Sequence, residues 1–266
     1  DHRDLHSFPT RRSSDLGTMN NIWTIAKREY DNYFNSPLAY VVMLAILLPL
    51  GIYFTLILLF SSQNAFMGGG AAPDTLQINW LFVFLMVFLA PAITMRLISD
   101  EARMGTLELM LTAPVKDFEF VAGKWLGALM FVLSTALVTL VFPLVLNNFV
   151  SPGIDWMMVL SSYIGLILVS SAMLALGVGI SAIFNNQFAA FFVTLGLFFF
   201  LWFFINMPVN LLPTGGEILN YLSLSYHFSQ NINQGNMTLA GIVYYLSLTA
   251  LGLFIGTTAI EIRRWR

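Results

Sequence analysis

The 266-residue sequence has no cysteine, which excludes disulfides and thiolate metal sites. Histidine is nearly absent as well: His2 and His6 lie at the very start, and His227 is the only one in the rest of the chain. A single histidine without cysteine argues against a metal centre. Charged residues make up only 10% of the chain, whereas soluble globular domains carry about 25%. A soluble protein is therefore excluded.

A strong charge imbalance is missing too. The net charge of −2 is too small to indicate a polyanionic partner, and there is no basic stripe, so we expect no nucleic-acid partner. Hydrophobic residues instead account for 58% of the chain, and the mean hydropathy is +0.77. Several apolar runs exceed the roughly 18 residues that cross a bilayer as a helix. These features indicate a membrane protein.

The first 18 residues differ from all that follows. FPTRRSSDL, at residues 8–16, is polar, basic and rich in serine. The segment lacks the apolar core of a signal peptide, and its three aspartates argue against a transit peptide. FPTRRSSDL resembles the translation of a sequencing adapter fused in frame to a gene. We predict that residues 1–18 are a non-native, disordered leader and that residues 19–266 form one transmembrane domain; a disordered cytosolic tail is the alternative.

Six apolar segments follow, each long enough to cross a bilayer as an α-helix. The fold class predicted is therefore an all-α, polytopic membrane protein with six transmembrane helices. Pro49, Pro91 and Pro143 interrupt three segments, and each is expected to kink or end its helix. The predicted spans are Leu38–Phe60, Ile78–Ile98, Trp125–Leu146, Met157–Phe184, Phe188–Met207 and Leu239–Ile260.

Lysine and arginine are unevenly distributed between the loops, which predicts the orientation of the spans. Beyond residue 18 they all fall before span 1, in the last residues of span 2 or the loop after it, or after span 6. The positive-inside rule therefore places both termini and the 2–3 loop in the cytosol. The residues concerned are Lys27, Arg28, Arg96, Arg103, Lys116, Lys124, Arg263, Arg264 and Arg266.

Residues 20–37 precede span 1 and have the pattern of an amphipathic helix. Apolar side chains recur at helical spacing from Ile22 to Tyr33, while the charged residues fall elsewhere on the wheel. We predict a helix that lies on the cytosolic leaflet; an extension of span 1 is the alternative. The candidate functional residues of this interfacial helix are Trp23, Lys27, Arg28, Tyr30, Tyr33 and Phe34.

The loop between spans 2 and 3, residues 99–125, is the only strongly charged stretch after the leader. Ser99 can cap a helix whose first turn is acidic, and Pro114 would end that helix. Its apolar face, which includes Leu107 and Leu111, has nothing within the loop to pack against. That face predicts contact with lipid or with a partner protein.

A second amphipathic run in this loop begins at Asp117 and Glu119 and leads into span 3. Ladders of small residues also occur in and near the spans, and they allow close approach of helices. Packing within one six-helix bundle is the favoured interpretation of most of them. The ladders are Gly123-xxx-Gly127, Ser171-xxx-Ala175-xxx-Gly179 and Gly252-xxx-Gly256.

Residues 208–238, between spans 5 and 6, are too long for a tight turn. The pattern around Glu217 predicts re-entrant or interfacial half-helices, with Tyr226, His227 and Gly235 as further candidate residues on the outer side. A pair of His227 with a neighbouring serine is conceivable, but no GxSxG motif accompanies it. An amphipathic anchor is therefore the favoured role of His227.

Groups that could drive transport are missing. The interiors of the predicted spans hold essentially no charged residue, which argues against a proton- or sodium-coupled transporter. No GxxxxGK[ST] phosphate-binding loop occurs, so any ATP hydrolysis must take place on another polypeptide. We expect no catalytic residue, no metal and no directly bound cofactor in this chain.

A family resemblance is carried by residues 94–127, TMRLISDEARMGTLELMLTAPVKDFEFVAGKWLG, together with residues 222–248 and the RRW at 263–265. These segments resemble ABC-2 type transporter permeases, most of all the gliding-motility-associated subgroup, which includes permeases of nitrous-oxide-reductase maturation and sodium export. The resemblance covers nearly the whole chain from Met19. Its matching positions are Met95, Arg96, Glu101, Gly105, Thr106, Glu108, Pro114, Gly123 and Lys124.

The resemblance implies a permease subunit of the bacterial inner membrane that pairs with a second copy or a homologous permease. Two cytosolic ABC ATPase subunits would dock on it and hold ATP and Mg, and an auxiliary extracytoplasmic subunit could join. Residues 20–36 would be an elbow helix and 99–113 a coupling helix with a charged docking rim of Glu101, Arg103, Glu108 and Lys116. The residues implied in ATPase coupling are Glu101, Arg103, Gly105, Thr106, Leu107, Glu108, Leu111, Pro114, Lys116, Gly123 and Lys124.

Two other interpretations remain open: a membrane-embedded enzyme or ATPase-independent transporter, and a scaffold that anchors a partner complex. A neighbouring gene for a Walker-type ATPase would favour the permease over both. The nearly uncharged spans favour an apolar or amphipathic substrate, such as a lipid, without identifying it. We expect transport in the export direction.

Overall fold

The computed structural model describes residues 11–66, 76–105, 115–150, 153–205, 219 and 221–264, with side chains from residue 18 onward except those of 63–66. Every regular element in these ranges is helical. The helices are α1 (Arg11–Asn35), α2 (Pro37–Phe66), α3 (Leu76–Thr94), α4 (Ser99–Met104), α5 (Asp117–Thr139), α6 (Val141–Phe149), α7 (Trp156–Ile183), α8 (Gln187–Phe199) with a π turn (Phe200–Phe204), α9 (Leu224–Tyr226) with a π turn (His227–Asn231) and a 3-10 turn (Ile232–Gln234), and α10 (Leu239–Arg264).

Six helical stretches in these ranges are long and apolar enough to cross a membrane, which confirms the predicted all-α polytopic architecture. The third stretch begins at Asp117 rather than at Trp125, so the second amphipathic run and span 3 form one helix. The stretches are Pro37–Ser62, Leu76–Met104, Asp117–Phe149, Trp156–Ile183, Gln187–Phe204 and Leu239–Arg264.

The prolines differ in their effect on these helices. Pro49 and Pro91 lie within the uninterrupted helices α2 and α3. α5 instead ends at Thr139, four residues before Pro143. A proline ring clashes with the carbonyl four residues earlier and cannot donate to it, which accounts for the break between α5 and α6.

Helix α7 forms the centre of the bundle, since 78% of its most apolar stretch is buried, against 22% for α2 and for α8. It runs parallel to α3, as shown by the contacts of Asn79 with Ser162 and of Thr94 with Gly177. It runs antiparallel to α5, because Thr139 near the end of α5 meets Tyr163 near the start of α7 at 3.0 Å. Neighbouring spans therefore alternate in direction.

This alternation brings the basic residues together at one end of the bundle, here called the basic end. Lys124 lies near the start of α5, and Arg96 follows α3. At the end of α10, Arg264 binds Asp117 at 2.8 Å and Arg263 donates to the Ile183 carbonyl at 3.0 Å. The clustering is what a common membrane side for these residues requires.

Helix α1 packs along the first half of α5 and runs in the same direction. Asn21 binds Glu119 at 3.0 Å, Ile25 lies against Gly123, and the ring of Tyr33 stacks on Phe131 with centroids 4.9 Å apart. Since the helix begins at Arg11, it extends into the segment for which the sequence predicts disorder. The adapter origin of that segment stays a prediction.

Candidate functional site

Lys124, at the junction of α1, α4 and α5, is the most deeply buried basic residue among the described residues. Its ammonium nitrogen lies 2.8 Å from Glu29 Oε1 and 2.8 Å from Glu101 Oε1. The Lys124 side chain is 3% exposed, and those of Glu29 and Glu101 are 15% and 16% exposed. The Phe120 ring lies 5.2 Å below the ammonium. Because a buried ammonium is costly unless it is paired, these contacts fix the three helices to one another. We call these three charged residues the Lys124 site.

Glycines on α5 make this junction possible. A Cβ on Gly123 would lie 2.7 Å from the Cβ of Ile25, and a Cβ on Gly127 would lie 2.9 Å from the Ala26 carbonyl oxygen. The backbone of α1 can therefore approach α5 closely enough for Glu29 to reach Lys124. This ladder packs within the chain, but on α1 rather than on one of the six spans.

Glu119 joins the first turn of α5 to α1. The residue is 2% exposed, and its carboxylate accepts hydrogen bonds from the Asn21 side-chain amide at 3.0 Å and from the Lys116 backbone N–H at 3.3 Å. The second bond satisfies a backbone donor at the helix start, as an N-terminal cap does. Glu119 therefore stabilises the α1–α5 contact and is not presented to a partner.

The corner between α3 and α4 is held by a serine of α7. The Ser181 hydroxyl accepts from the backbone N–H groups of Ile98 and Ser99 at 3.3 and 3.2 Å, and it donates to the Met95 carbonyl at 3.3 Å. The sequence predicts Ser99 as the cap, and this is wrong because the Ser99 hydroxyl bonds to the Met95 carbonyl instead. A serine in an apolar helix gives no sequence signal for this role, so Ser181 was not predicted.

Helix α4 ends early. Gly105 has φ 72°, a left-handed conformation that commonly closes a helix and that glycine adopts without steric cost. The predicted helix over 99–113 therefore does not continue past Met104. Its remaining predicted coupling residues, namely Thr106, Leu107, Glu108, Leu111 and Pro114, lie outside the described residues, and their role stays a prediction.

The structure separates the predicted coupling residues into exposed and buried ones. Arg103 and Lys116 are exposed at the basic end, where a partner could reach them. Gly123 and Lys124 are covered by α1, and Glu101 points at Lys124. Glu101, a residue of the predicted docking rim, thus compensates a buried ammonium, and its role in docking stays a prediction.

The predicted interfacial helix has its side chains on the expected faces, but its buried face meets protein. Trp23 is 55% exposed, and Lys27 and Arg28 are exposed as well. On the buried face, the Tyr30 hydroxyl lies 2.9 Å from the Ser134 hydroxyl, and the Phe34 ring meets Phe131 edge-on at 5.8 Å. A face that packs on a helix and one that packs on lipid have the same sequence pattern.

Tyr33 links α1 to the end of α3. Its hydroxyl donates to the Ile93 carbonyl at 3.2 Å. Burial, and then the nearby Glu29 carboxylate, raise the pKa of the Tyr33 phenol far above its ordinary value. The phenol therefore keeps its proton and its hydrogen bond at any physiological pH.

At the opposite end of the bundle, His227 is surrounded by tyrosines. It is 2% exposed, and its ring centroid lies 4.6 Å from that of Tyr244, 5.4 Å from Tyr221, 5.6 Å from Tyr226 and 6.4 Å from Tyr245. Nε2 lies 3.1 Å from the Tyr221 carbonyl oxygen, while Nδ1 has no hydrogen-bond partner among the described residues. The ring is therefore buried, and it forms no pair with a serine among the described residues; the anchor role of His227 stays a prediction.

The segment that carries His227 closes this end of α3 and α7. Ile232 is fully buried, and a Cβ on Gly165 of α7 would lie 2.4 Å from its Cγ2. The Ser161 hydroxyl donates to the Ile232 carbonyl at 2.8 Å, and the Asn233 side chain donates to the Leu76 carbonyl at 3.0 Å. Gly235, at φ 88°, ends the segment, whereas the predicted residue Glu217 lies outside the described residues.

Acidification should destabilise the chain through His227. Burial lowers the pKa of His227, and the hydrogen bond to Tyr221 only partly opposes this. Histidine in the unfolded chain has a pKa of about 6.5. Around and below that pH the unfolded state therefore binds more protons than the folded state. Stability from this group is therefore complete above about pH 6.5, falls as the pH is lowered, and stops falling below the folded-state pKa.

The measurement is the thermal unfolding midpoint of the purified chain between about pH 7.5 and about pH 5.5. We expect the wild-type midpoint to fall more than that of His227→Gln, whose amide can still donate to the Tyr221 carbonyl. Identical pH dependence in the two proteins would contradict the assignment.

Comparison with known families agrees with this architecture. A model of the ABC-2 family transporter proteins matches residues 23–260, which include the Lys124 site and the segment around His227. A search of curated proteins found no match. Because the family model matches most of the chain, the chain belongs to the ABC-2 transporter family.

Proposed function

We propose that the chain is the permease subunit of an ATP-driven exporter, and that a separate cytosolic ABC ATPase acts on α4 and the residues that follow it. The observation that carries this proposal is the double attachment of α4. Glu101 joins it to Lys124 of α5, and Ser181 of α7 holds its first turn. A displacement of α4 would therefore reach α5 and the central helix α7 together.

The orientation and setting complete the proposal. The basic residues share one end of the bundle, which supports cytosolic termini in a bacterial inner membrane by the positive-inside rule. ATP and Mg would be held by the ATPase alone. Within the family, we propose that the chain belongs to the gliding-motility-associated subgroup, because residues 94–127 and 222–248 resemble that subgroup.

A second permease copy or a homologous permease would complete the transport path. The most apolar stretches of α2 and α8 are each only 22% buried within one chain. Leu44 on α2 and Phe192 on α8 are 61% and 66% exposed. Such faces fit lipid and a partner permease, and the amphipathic substrate would pass between the two subunits. An auxiliary extracytoplasmic subunit would bind at the opposite end.

The test uses the full chain expressed with the ATPase of a neighbouring gene. We expect Leu107→Asp and Glu108→Lys each to lower ATPase copurification and transport at least about tenfold, an effect of about 1.4 kcal/mol or more. Membrane insertion should not change. Met237→Asp, an exposed position at the opposite end, is the matched control and should copurify normally.

Normal assembly and transport with both changes would refute the coupling assignment. Transport by the purified chain in vesicles without ATPase or ATP would instead support the ATPase-independent transporter.

A further inference from the structure

A cavity of about 180 Å³ lies beside the Lys124 site. It is bounded by the end of α1, the start of α2, the corner between α3 and α4, and α5. Its charged lining consists of Glu29, Arg96, Asp100, Glu101 and Lys124. Three carboxylates and two basic groups leave a formal charge of −1 on the walls, so a ligand with a cationic group would compensate it.

The charges differ in how firmly they are held. Lys124 is fixed between two carboxylates at 2.8 Å each and is almost fully buried. Arg96 and Asp100 form a looser pair at 3.4 Å, with side chains 43% and 28% exposed. Exposed pairs of this kind contribute little to stability, so both groups can turn toward a ligand at small cost. The rim of the cavity therefore offers one guanidinium and one carboxylate.

The position of the cavity connects it with the membrane surface. It lies where the first span begins, at Pro37, and where the apolar part of α3 ends, at Thr94. Its apolar wall includes Leu38, Ile93 and Leu97. Along α2 this wall continues into side chains that lie open to lipid: Val41, Leu44 and Leu48 are 62%, 61% and 49% exposed.

We propose that this cavity binds the headgroup of a phospholipid with a primary amine, as in phosphatidylethanolamine. The guanidinium of Arg96 pairs with the phosphate, because arginine matches phosphate oxygens with two parallel donors. The ammonium meets the carboxylate of Asp100 and balances the charge of the phosphate, so the headgroup adds no net charge to the negative walls. The acyl chains lie along the exposed face of α2. An anionic headgroup without an amine would add a further negative charge to these walls, and a quaternary amine has no hydrogen to donate.

The experiment is native mass spectrometry of the purified full chain in detergent, titrated with lipids of identical acyl chains. We expect phosphatidylethanolamine to be retained about tenfold more than phosphatidylglycerol or phosphatidylcholine, the ratio that one charge-assisted hydrogen bond supplies. Arg96→Gln and Asp100→Asn should each remove this preference. Arg103→Gln, an exposed arginine at the same end outside the cavity lining, is the control and should keep it.

Three results would overturn the proposal: equal retention of the three lipids, an unchanged preference in both cavity variants, or the same loss in Arg103→Gln. Displacement of the lipid by soluble phosphoethanolamine at equal concentration would assign the site to a soluble ligand and also overturn it. No ATPase is present, so the result does not depend on the proposed transport function. Size-exclusion profiles of the variants confirm that they are folded.

Discussion

The substitution Gly252→Ala is expected to lower the thermal unfolding midpoint of the purified chain by about 5–10 °C. Gly252 lies where α10 crosses α7, and a Cβ there would be 2.4 Å from the Ala175 carbonyl carbon and 2.5 Å from the Leu176 nitrogen. Both obstacles are backbone atoms, so no side-chain rotation relieves the clash and the two helices must move apart. Overpacking of this kind costs about 1–3 kcal/mol or more.

The helices α7 and α10 cannot avoid this clash by a small shift, because small residues of both helices form the contact. A Cβ on Gly179 would lie 2.6 Å from the Gly252 carbonyl oxygen. One turn or more away, the hydroxyls of Ser171 and Thr249 lie 3.2 Å apart, and this bond would be broken by separation of the helices. The Thr249 hydroxyl would keep its bond to the Tyr245 carbonyl at 2.9 Å, so the loss would fall on the Ser171 hydroxyl.

Two other helical glycines provide matched controls. Gly51 in α2 and Gly196 in α8 have open space where a Cβ would stand. Alanine at either position should leave the midpoint unchanged or raise it slightly, since glycine in a helix costs about 0.5–1 kcal/mol relative to alanine. Fluorescence-detected size exclusion after heating measures all three variants. A midpoint of Gly252→Ala equal to those of the controls would contradict the close packing of α7 and α10.

The sequence predicts the spans and their ladders well because both depend on local composition. Apolar length identifies the six helices, and small residues at four-residue spacing identify the faces that meet, as at Gly179 and Gly252. The sequence does not show which element packs on a given helix face. Gly123 and Gly127 pack on α1, which the sequence assigns to the membrane surface, because lipid and a neighbouring helix select the same apolar pattern.

Polar contacts between distant segments are the part that the sequence does not reveal. Glu29 is 95 residues from Lys124, and neither residue type nor spacing indicates their contact. The same holds for Ser181, which looks like one more small residue in an apolar helix. At the opposite end, two of the tyrosines around His227 come from α10, which begins after the segment ends. The local pattern around His227 therefore does not reveal that the fold buries the ring.

Lys124→Met is expected to destabilise the chain by about 3–5 kcal/mol, the usual effect of removing one partner from a buried charge pair. The methionine would leave the carboxylates of Glu29 and Glu101 facing each other with no cation between them. Arg96→Met is the matched control, since its pair with Asp100 is partly exposed and should contribute only about 0.2–0.5 kcal/mol. Thermal midpoints in detergent at neutral pH measure both.

A combined variant separates charge compensation from packing. In Lys124→Met with Glu29→Gln and Glu101→Gln, no buried charge is left without a partner, and most of the lost stability should return. Replacing a buried charge cluster by neutral groups is often neutral or stabilising. If the triple variant is no more stable than Lys124→Met alone, the charges are not what joins α1, α4 and α5. If it is stable, its ATPase stimulation and transport show whether α4 needs the ionic link to pass on force, because Ser181 then remains as the other attachment of α4.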